Sequence, residues 1–215
     1  QCLLGEGKMT GYEVAKQTGI SRSNAYNSLA SMTEKGAAYL VEEGNTRKYV
    51  PVPVEEFCKN RIRRMEEARQ WLKIHVPSEK THVEGYITIE GARNILDKMR
   101  NLLDKVEQRV YISCTRNYLL LLVRELEELK RAGKKVVIVT DQPVTFSGAK
   151  VYVGKSRGMQ IGVIADSRYV LTGEYGEGSM NTCLYSGQKN FVELYKTALG
   201  NEIKLLTIQE EKNKA

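Results

Sequence analysis

The chain has 215 residues, enough for one large domain or two modest ones, and its 41% hydrophobic and 27% charged residues are typical of a soluble globular protein. The formal net charge of +7 favours polyanionic partners only weakly, because many soluble proteins are this basic. The four scattered cysteines and two histidines form no metal or redox motif, and no apolar run approaches the ~20 residues of a membrane span. We therefore expect reduced thiols, no metal site, no cofactor, no membrane partner and a cytoplasmic protein.

Residues 10–53 contain the cap and turn residues that separate short helices. Thr10 can cap a helix that Gly19 ends, and Ser21 can cap a second helix that runs to about Lys35. The expected apolar sides of the two helices are formed by residues at helical spacing, namely Tyr12, Val14 and Ala15 in the first and Ala25, Tyr26, Leu29 and Met32 in the second. The opening residues QCLL resemble the end of a helix, which predicts that further residues precede them in the full protein.

A β-hairpin is predicted after the second helix. The segment AAYLVEEGNTRKYVPV alternates between apolar and polar residues, turns at Gly44 and Asn45, and returns. Helix, short turn, helix and hairpin is the order of a winged helix-turn-helix, which we place at residues 1–53.

The polar side of the second helix and the hairpin tip suit double-stranded DNA. A recognition helix presents polar side chains near its N-terminus to base edges, and a wing contacts phosphate or the minor groove. The candidate DNA-binding residues are Ser21, Arg22, Ser23, Asn24 and Asn27 on the helix, and Thr46, Arg47 and Lys48 on the wing. Winged helices also bind proteins, so the alternative is an adaptor that binds protein partners without a specific DNA target.

Residues 54–76 are predicted to form one long charged helix. A coiled-coil seam with 4-3-4-3-4 spacing runs along it through Cys58, Ile62, Met65, Arg69, Leu72 and Val76. The seam predicts a homodimer, although Arg69 interrupts it and a linker helix lying on its own domain would look similar. Polar residues 77–84 form a linker, and the second domain occupies residues 84–215.

Residues 84–215 alternate between strand and helix patterns. This order predicts an α/β domain with a largely parallel central sheet, whose ligands would sit at the carboxyl ends of its strands. In this domain we expect a helix that Asn117 caps and Gly133 ends.

The whole chain resembles the TrmB family of transcriptional regulators. The N-terminal part of the resemblance is carried by MTGYEVAKQTGISRSNAYNSLASMTEKGAAYLVEEGNTRKYVPV, and a more particular part by EGYITIEGARNILDKMRNLLDKVEQRVYIS. The resemblance implies a winged helix, a coiled-coil linker and a phospholipase D-like regulatory domain, in a dimeric DNA-binding regulator. Because the chain ends soon after this last domain, we expect no C-terminal sugar-binding domain, and no sugar effector is implied.

The resemblance also bears on catalysis. Phospholipase D enzymes carry a His-x-Lys pair followed by Asp; on this chain the Asp position falls on Asp166, but the His and Lys positions fall on Met159 and Ile161. Neither side chain can attack phosphorus or hold phosphate charge, so we expect no enzyme and no catalytic residues. Asp166, followed by Ser167, is expected to be a turn residue.

A degenerate domain of this kind can still bind a ligand. A phospholipase D-like half faces a second half, which here must come from another subunit. Four residues follow a predicted strand and begin the next helix, and we expect them to bind a small anionic effector: Ser113, Thr115, Arg116 and Asn117. The alternative is that Asn117 only caps its helix and Arg116 is solvated.

Overall fold

The computed structural model describes residues 1–77, 85–155, 157–177 and 180–212. These residues form two compact units, Gln1–Glu79 and Lys80–Ala215. The predicted linker residues 78–84 lie outside the described part of the chain. Among the residues described, no helix has the length and apolar character needed to cross a membrane.

The first unit combines short helices, one long helix and a small antiparallel sheet. Its elements are α1 (Cys2–Glu6), β1 (Met9–Thr10), α2 (Gly11–Thr18), α3 (Arg22–Glu34), β2 (Ala38–Glu43), β3 (Thr46–Pro51) and α4 (Val54–His75). The strands are hydrogen-bonded in the order β1-β3-β2. This is the predicted arrangement of a winged helix-turn-helix.

Local cap chemistry determines where α2 and α3 begin. The Thr10 hydroxyl accepts a hydrogen bond from the Glu13 backbone N–H, and the Glu13 carboxylate accepts one from the Thr10 N–H, which forms a complete capping box. Gly19 ends α2 in the left-handed conformation, at φ 75°, which a glycine adopts without steric cost. Ser21 caps α3 by accepting a hydrogen bond from the Asn24 N–H.

The core of this unit is formed by Leu3, Met9, Val14, Ala15, Ala25, Leu29, Ala38 and Tyr49. Two residues expected on the apolar sides of the helices are instead largely exposed: Tyr12 at 48% and Tyr26 at 42%. A second correction concerns Val76, which lies just beyond α4 in an extended conformation and therefore cannot continue the helical seam.

The second unit is built on one large sheet. Its elements are β4 (Tyr86–Glu90), α5 (Ala92–Leu103), β5 (Arg109–Ser113), α6 (Arg116–Leu119), a 3-10 turn (Leu120–Leu122), α7 (Val123–Arg131), β6 (Lys135–Thr140), β7 (Lys150–Val153), β8 (Gln160–Ala165), β9 (Tyr169–Glu174), β10 (Thr182–Ser186) and α8 (Lys189–Lys212). The strand order is β4-β10-β9-β8-β5-β6-β7.

The expectation of a largely parallel sheet was wrong. Only β5 with β6 and β6 with β7 pair in parallel, whereas β4, β10, β9, β8 and β5 are joined by antiparallel pairs. The β8–β9 hairpin inserts beside β5, and hairpin strands are antiparallel by construction. The sheet is therefore mixed.

Helices cover this sheet on both faces. One core joins the sheet to α5, the 3-10 turn and α7, with Ile95, Leu122 and Leu126 fully buried. The other core joins the sheet to α8 through Val192 and Leu199. Each face therefore has its own apolar layer, as expected for an α/β domain.

The helix predicted to begin at Asn117 is broken into two pieces. Thr115 occupies the N-cap position of α6, so the prediction that Asn117 is the cap was wrong. The 3-10 turn follows α6 before α7 begins. The apolar run is divided: Leu119 and Leu122 are buried, whereas Leu120 and Leu121 are exposed. Gly133, at φ 72°, follows α7 as expected.

Candidate nucleic-acid interface

The N-terminal end of α3 presents an exposed polar surface. Arg22, Ser23, Asn24 and Asn27 are all exposed on it, while Ala25 and Leu29 turn into the core. Ser21 is exposed as well, but its oxygen is occupied by the cap hydrogen bond to the Asn24 N–H at 3.2 Å. Ser21 therefore fixes the start of the helix, and its neighbours provide the free donors and acceptors.

The Arg22 side chain contacts an aromatic ring. The sequence pattern had placed this ring on the apolar side of a helix, not on the exposed surface. The guanidinium carbon of Arg22 lies 4.5 Å from the centroid of the Tyr12 ring on α2. A cation over an aromatic face within about 6 Å is attracted by the ring quadrupole. Tyr12 thus restricts the orientations open to Arg22, and the exposure of Tyr12 follows from this role.

A second tyrosine lies across the helix pair. Tyr26 of α3 packs over Gly11 of α2 so closely that a Cβ at Gly11 would stand about 2.5 Å from the ring. A larger residue at Gly11 would push the Tyr26 ring aside, and the ring remains 42% exposed. The glycine before Tyr12 was the signal in the sequence that two elements approach closely at this point.

The wing candidates Thr46 and Arg47 are exposed and Lys48 is half-buried on β3. Their charges are paired with acidic residues of β2: Arg47 Nε lies 3.2 Å from a Glu42 oxygen and Lys48 Nζ lies 2.9 Å from a Glu43 oxygen. The wing is therefore less basic than its NTRK sequence suggests.

Lys8 also joins this network, because its ammonium contacts the Glu43 carboxylate. The hydrogen bonds from Lys8 and then Lys48 lower the pKa of Glu43 to about 2. One carboxylate thus holds two ammonium groups that lie 40 residues apart in the sequence, and no sequence pattern linked them. In the antiparallel pairing of β1 with β3, Thr10 lies opposite Lys48, which ties the wing to the start of α2.

The predicted effector residues of the second unit are not all available to a ligand. Ser113 is buried and Thr115 half-buried, whereas Arg116 and Asn117 are exposed. The Arg116 backbone N–H donates to an Asp141 carboxylate oxygen at 2.8 Å. A carboxylate therefore already occupies the N-terminus of α6, which is four residues long. The N-terminus of α6 therefore no longer supports an anion site. Of the predicted residues, only the exposed Arg116 side chain still does.

Asp166 lies in the β8–β9 turn, where it and Ser167 have φ of 50° and 56°. Its carboxylate accepts three hydrogen bonds from backbone N–H groups of residues 107–109. Met159, at the position where the resemblance implies the histidine, is 36% exposed, and Ile161, at the lysine position, is 1% exposed in the core. Asp166 therefore has a structural role in fastening the turn.

Comparison with known proteins places the chain in a family. Residues 1–55 match the family model described as the sugar-specific transcriptional regulator TrmB. The uncharacterized protein YrhO of Bacillus subtilis (strain 168) is 30% identical over 203 residues, covering 93% of this chain and 68% of that protein.

Two solved structures match the chain over different shares of its length. The archaeal chromatin protein TrmBL2 matches with a TM-score of 0.51 at 18% identity, over 94% of this chain and 89% of that one. The phospholipase D family member Nuc from Salmonella typhimurium matches with a TM-score of 0.41 at 13% identity, over 54% of this chain and 93% of that one. The predicted order of a winged helix-turn-helix followed by an α/β domain is confirmed. The chain belongs to the TrmB family of transcriptional regulators.

Proposed function

We propose that this protein is a dimeric DNA-binding transcriptional regulator in which the N-terminal end of α3 reads bases and the wing contacts phosphate. The observation that carries the proposal is the exposed row Arg22, Asn24 and Asn27 at the capped start of α3. Arginine and asparagine make the bidentate contacts that distinguish guanine and adenine in the major groove. The structure of TrmBL2 shows a novel mode of DNA binding, which agrees with this proposal.

The test is a mobility shift with the DNA upstream of the protein's own coding sequence and a shuffled DNA of equal length. Arg22→Ala should weaken binding to the upstream DNA by about 1–3 kcal/mol and relax base preference. Arg63→Ala, an exposed arginine on α4, is the matched control. Equal losses on both DNAs would show that Arg22 does not read bases. Absence of any shift would favour the alternative, a winged-helix adaptor for protein partners.

We propose that α4 supplies a dimer contact as a parallel coiled coil. α4 has no buried residue, and its seam residues Ile62 and Met65 are 70% and 73% exposed. In a parallel pair Arg69 would face its own copy. However, the Glu66 carboxylate accepts two hydrogen bonds from Arg69, at 2.6 and 2.7 Å, so this charge is compensated within each helix. Parallel pairing places both winged helices at one end, as two neighbouring half-sites on DNA require.

Cys58 provides the test of this pairing, because it lies in the seam and is exposed. Burial raises the pKa of Cys114 to about 12 and that of Cys183 to about 11, so these thiols remain protonated and unreactive. In a Cys2→Ser protein, mild oxidation should give a cross-linked dimer on a non-reducing gel, and Leu72→Glu should abolish the cross-link. A protein that remains uncross-linked with an intact Leu72 would contradict parallel pairing and favour a helix lying on its own domain.

We propose that the α/β domain is regulatory and does not catalyse phosphodiester hydrolysis. The support is chemical, since Met159 and Ile161 stand where the resemblance implies a nucleophile and a phosphate-binding lysine. Incubation with bis(p-nitrophenyl) phosphate should release no more p-nitrophenol than heat-denatured protein does. Turnover that scales with the concentration of folded protein would contradict this role.

A small anionic effector fits best at Arg116. Of the four predicted residues only Arg116 lines a cleft of about 710 Å³, together with Leu120, Lys130 and Phe146. Glu127 also lines the cleft, but its carboxylate pairs with Arg131 at 3.2 Å. The apolar walls with Arg116 and Lys130 therefore suit a small carboxylate that has an aromatic or aliphatic body. Benzoate and octanoate should raise the thermal midpoint of the wild type and of Arg124→Ala, whose residue lies outside this cleft, but not that of Arg116→Ala. A shift that survives Arg116→Ala would remove Arg116 from the site.

A further inference from the structure

Helix α8 has two apolar faces, and its own domain uses only one of them. Val192 and Leu199 are buried against the sheet, in the core that α8 shares with β6–β9. On another side of the helix Leu194 is 69%, Leu205 61% and Ile208 48% exposed. Three large aliphatic side chains on one helix, each about half exposed or more, mark an interaction surface rather than scattered exposure.

The spacing of this second face is that of a coiled coil. Leu194, Ala198, Asn201, Leu205 and Ile208 follow one another at intervals of 4, 3, 4 and 3 residues, and all five are exposed. We call these five residues the α8 seam. An asparagine within such a seam sets the register and the number of helices at some cost in stability. None of the five carries a charge that would have to be buried.

The sheet beside α8 is also open. Thr172 on β9 hydrogen-bonds the Tyr195 hydroxyl of α8 at 3.0 Å, so its side chain lies on the α8 face of the sheet. Leu184 lies opposite both Thr172 and Thr88 in the antiparallel register, and all three belong to this face. Leu184 is 39% exposed and Thr88 is exposed, so α8 leaves this part of the face open, although its Phe191 ring contacts Tyr86 at the start of β4.

We propose that a second copy of this chain covers this surface, with the α8 seam of one copy packed against that of the other across a two-fold axis. The surface is self-complementary because it combines a helical ridge, the α8 seam, with an adjacent open strand row. A seam of about 21 Å with the strand row would bury on the order of 500–600 Å² per partner, or roughly 1,000–1,200 Å² in total, which lies at the lower limit for a specific interface.

This contact is separate from the α4 contact, because α4 and α8 belong to different compact units. Neither contact requires the other, and neither depends on DNA binding. The α8 contact can therefore be tested in a protein whose α4 seam has been disrupted.

The experiment is sedimentation of the full chain at about 50 µM. Leu72→Glu should remain a dimer, because α8 still pairs, whereas Leu72→Glu with Leu205→Glu should be a monomer. Burying the new carboxylate should raise the dissociation constant by roughly 100-fold or more. Lys189→Glu, which also introduces a carboxylate at an exposed position off the α8 seam and lowers the net charge by two rather than one, should leave the Leu72→Glu dimer intact.

A second variant distinguishes pairing from a folding defect. Asn201→Leu replaces the polar seam residue by an apolar one, and in the Leu72→Glu protein it should tighten the dimer at least about tenfold. Opposite shifts from Leu205→Glu and Asn201→Leu are expected only if the α8 seam is an interface. A monomeric Leu72→Glu protein, or a Leu72→Glu dimer that Leu205→Glu does not weaken, would overturn the proposal.

Discussion

Asp166 and Arg109 are hydrogen-bonded to each other twice, although 57 residues separate them. The Asp166 N–H donates to the Arg109 carbonyl at 2.9 Å, and the Arg109 N–H donates to an Asp166 carboxylate oxygen at 2.8 Å. The same carboxylate accepts from the N–H groups of Glu107 and Gln108 at 2.7 and 2.8 Å. The β8–β9 turn is thereby fastened to the start of β5, at the junction where the antiparallel part of the sheet meets the parallel part.

Replacing this carboxylate should therefore destabilise the second domain. Asp166→Asn keeps one carbonyl oxygen but turns an NH₂ group toward backbone donors, so we expect the free energy of unfolding to fall by about 1–3 kcal/mol. Urea denaturation followed by circular dichroism measures the change. Asp104→Asn, an exposed aspartate at the end of α5, is the control and should change stability little. Equal stability of the two variants would show that the three hydrogen bonds contribute nothing net.

The contribution of Asp166 should also depend on pH. Burial favours the protonated acid, but the hydrogen bonds from Glu107, Arg109 and Gln108 outweigh it together and lower the pKa of Asp166. Because the native pKa lies below the unfolded value of about 3.9, the stabilisation is present above that value and lost as pH falls through the native pKa. The difference in unfolding free energy between wild type and Asp166→Asn should be constant from pH 7 to 5 and smaller at pH 3. A difference that grows on acidification would contradict the sign of the shift.

The ring beneath Arg22 should matter for DNA affinity. Tyr12→Leu removes the aromatic face and should weaken binding to specific DNA by roughly 0.5–1 kcal/mol, whereas Tyr12→Phe keeps the face and should bind as the wild type does. In an Arg22→Ala protein, Tyr12→Leu should have no further effect, because the pair is already broken. Fluorescence anisotropy with labelled DNA gives all of these affinities. Additive losses in the double variant would show that the two residues act independently.

The acidic residues of the wing should moderate its contact with phosphate. Glu43→Gln removes the carboxylate that holds both Lys8 and Lys48, so we expect tighter binding to all DNA and a steeper dependence of affinity on salt. Lys48→Ala should make that dependence shallower. Glu55→Gln, an exposed glutamate at the start of α4, changes the net charge equally and controls for it. If Glu43→Gln and Glu55→Gln have the same salt dependence, the wing does not contact phosphate.

The helix ends and the hairpin turn, which depend on neighbouring residues, were predicted correctly from the sequence. Thr10 and Ser21 are the caps of α2 and α3, Gly19 ends α2, and the hairpin turns at Gly44. Each of these features follows from residues within a few positions, and the family resemblance extended the prediction to the domain order.

The strand order and the partners of several side chains were not predicted, because they depend on residues that lie far apart in the sequence. Strand order cannot be read from strand patterns, because apolar runs look alike in parallel and antiparallel sheets. The exposure of Tyr12 became clear only when α3 placed Arg22 above it, and Lys8 met Glu43 only when β3 paired with β1. At the candidate interface the side chains were therefore predicted, but the partners that orient or neutralise them were not.

The burial of Ile161 limits which substitutions its position tolerates. Ile161 lies in the main core of the sheet at 1% exposure. A lysine there would bury an unpaired ammonium at a cost of several kcal/mol, a large part of the roughly 5–15 kcal/mol that stabilises a domain. Gaining a charge at this position would therefore cost the domain much of its stability, and new binding chemistry is expected to arise at its exposed positions instead.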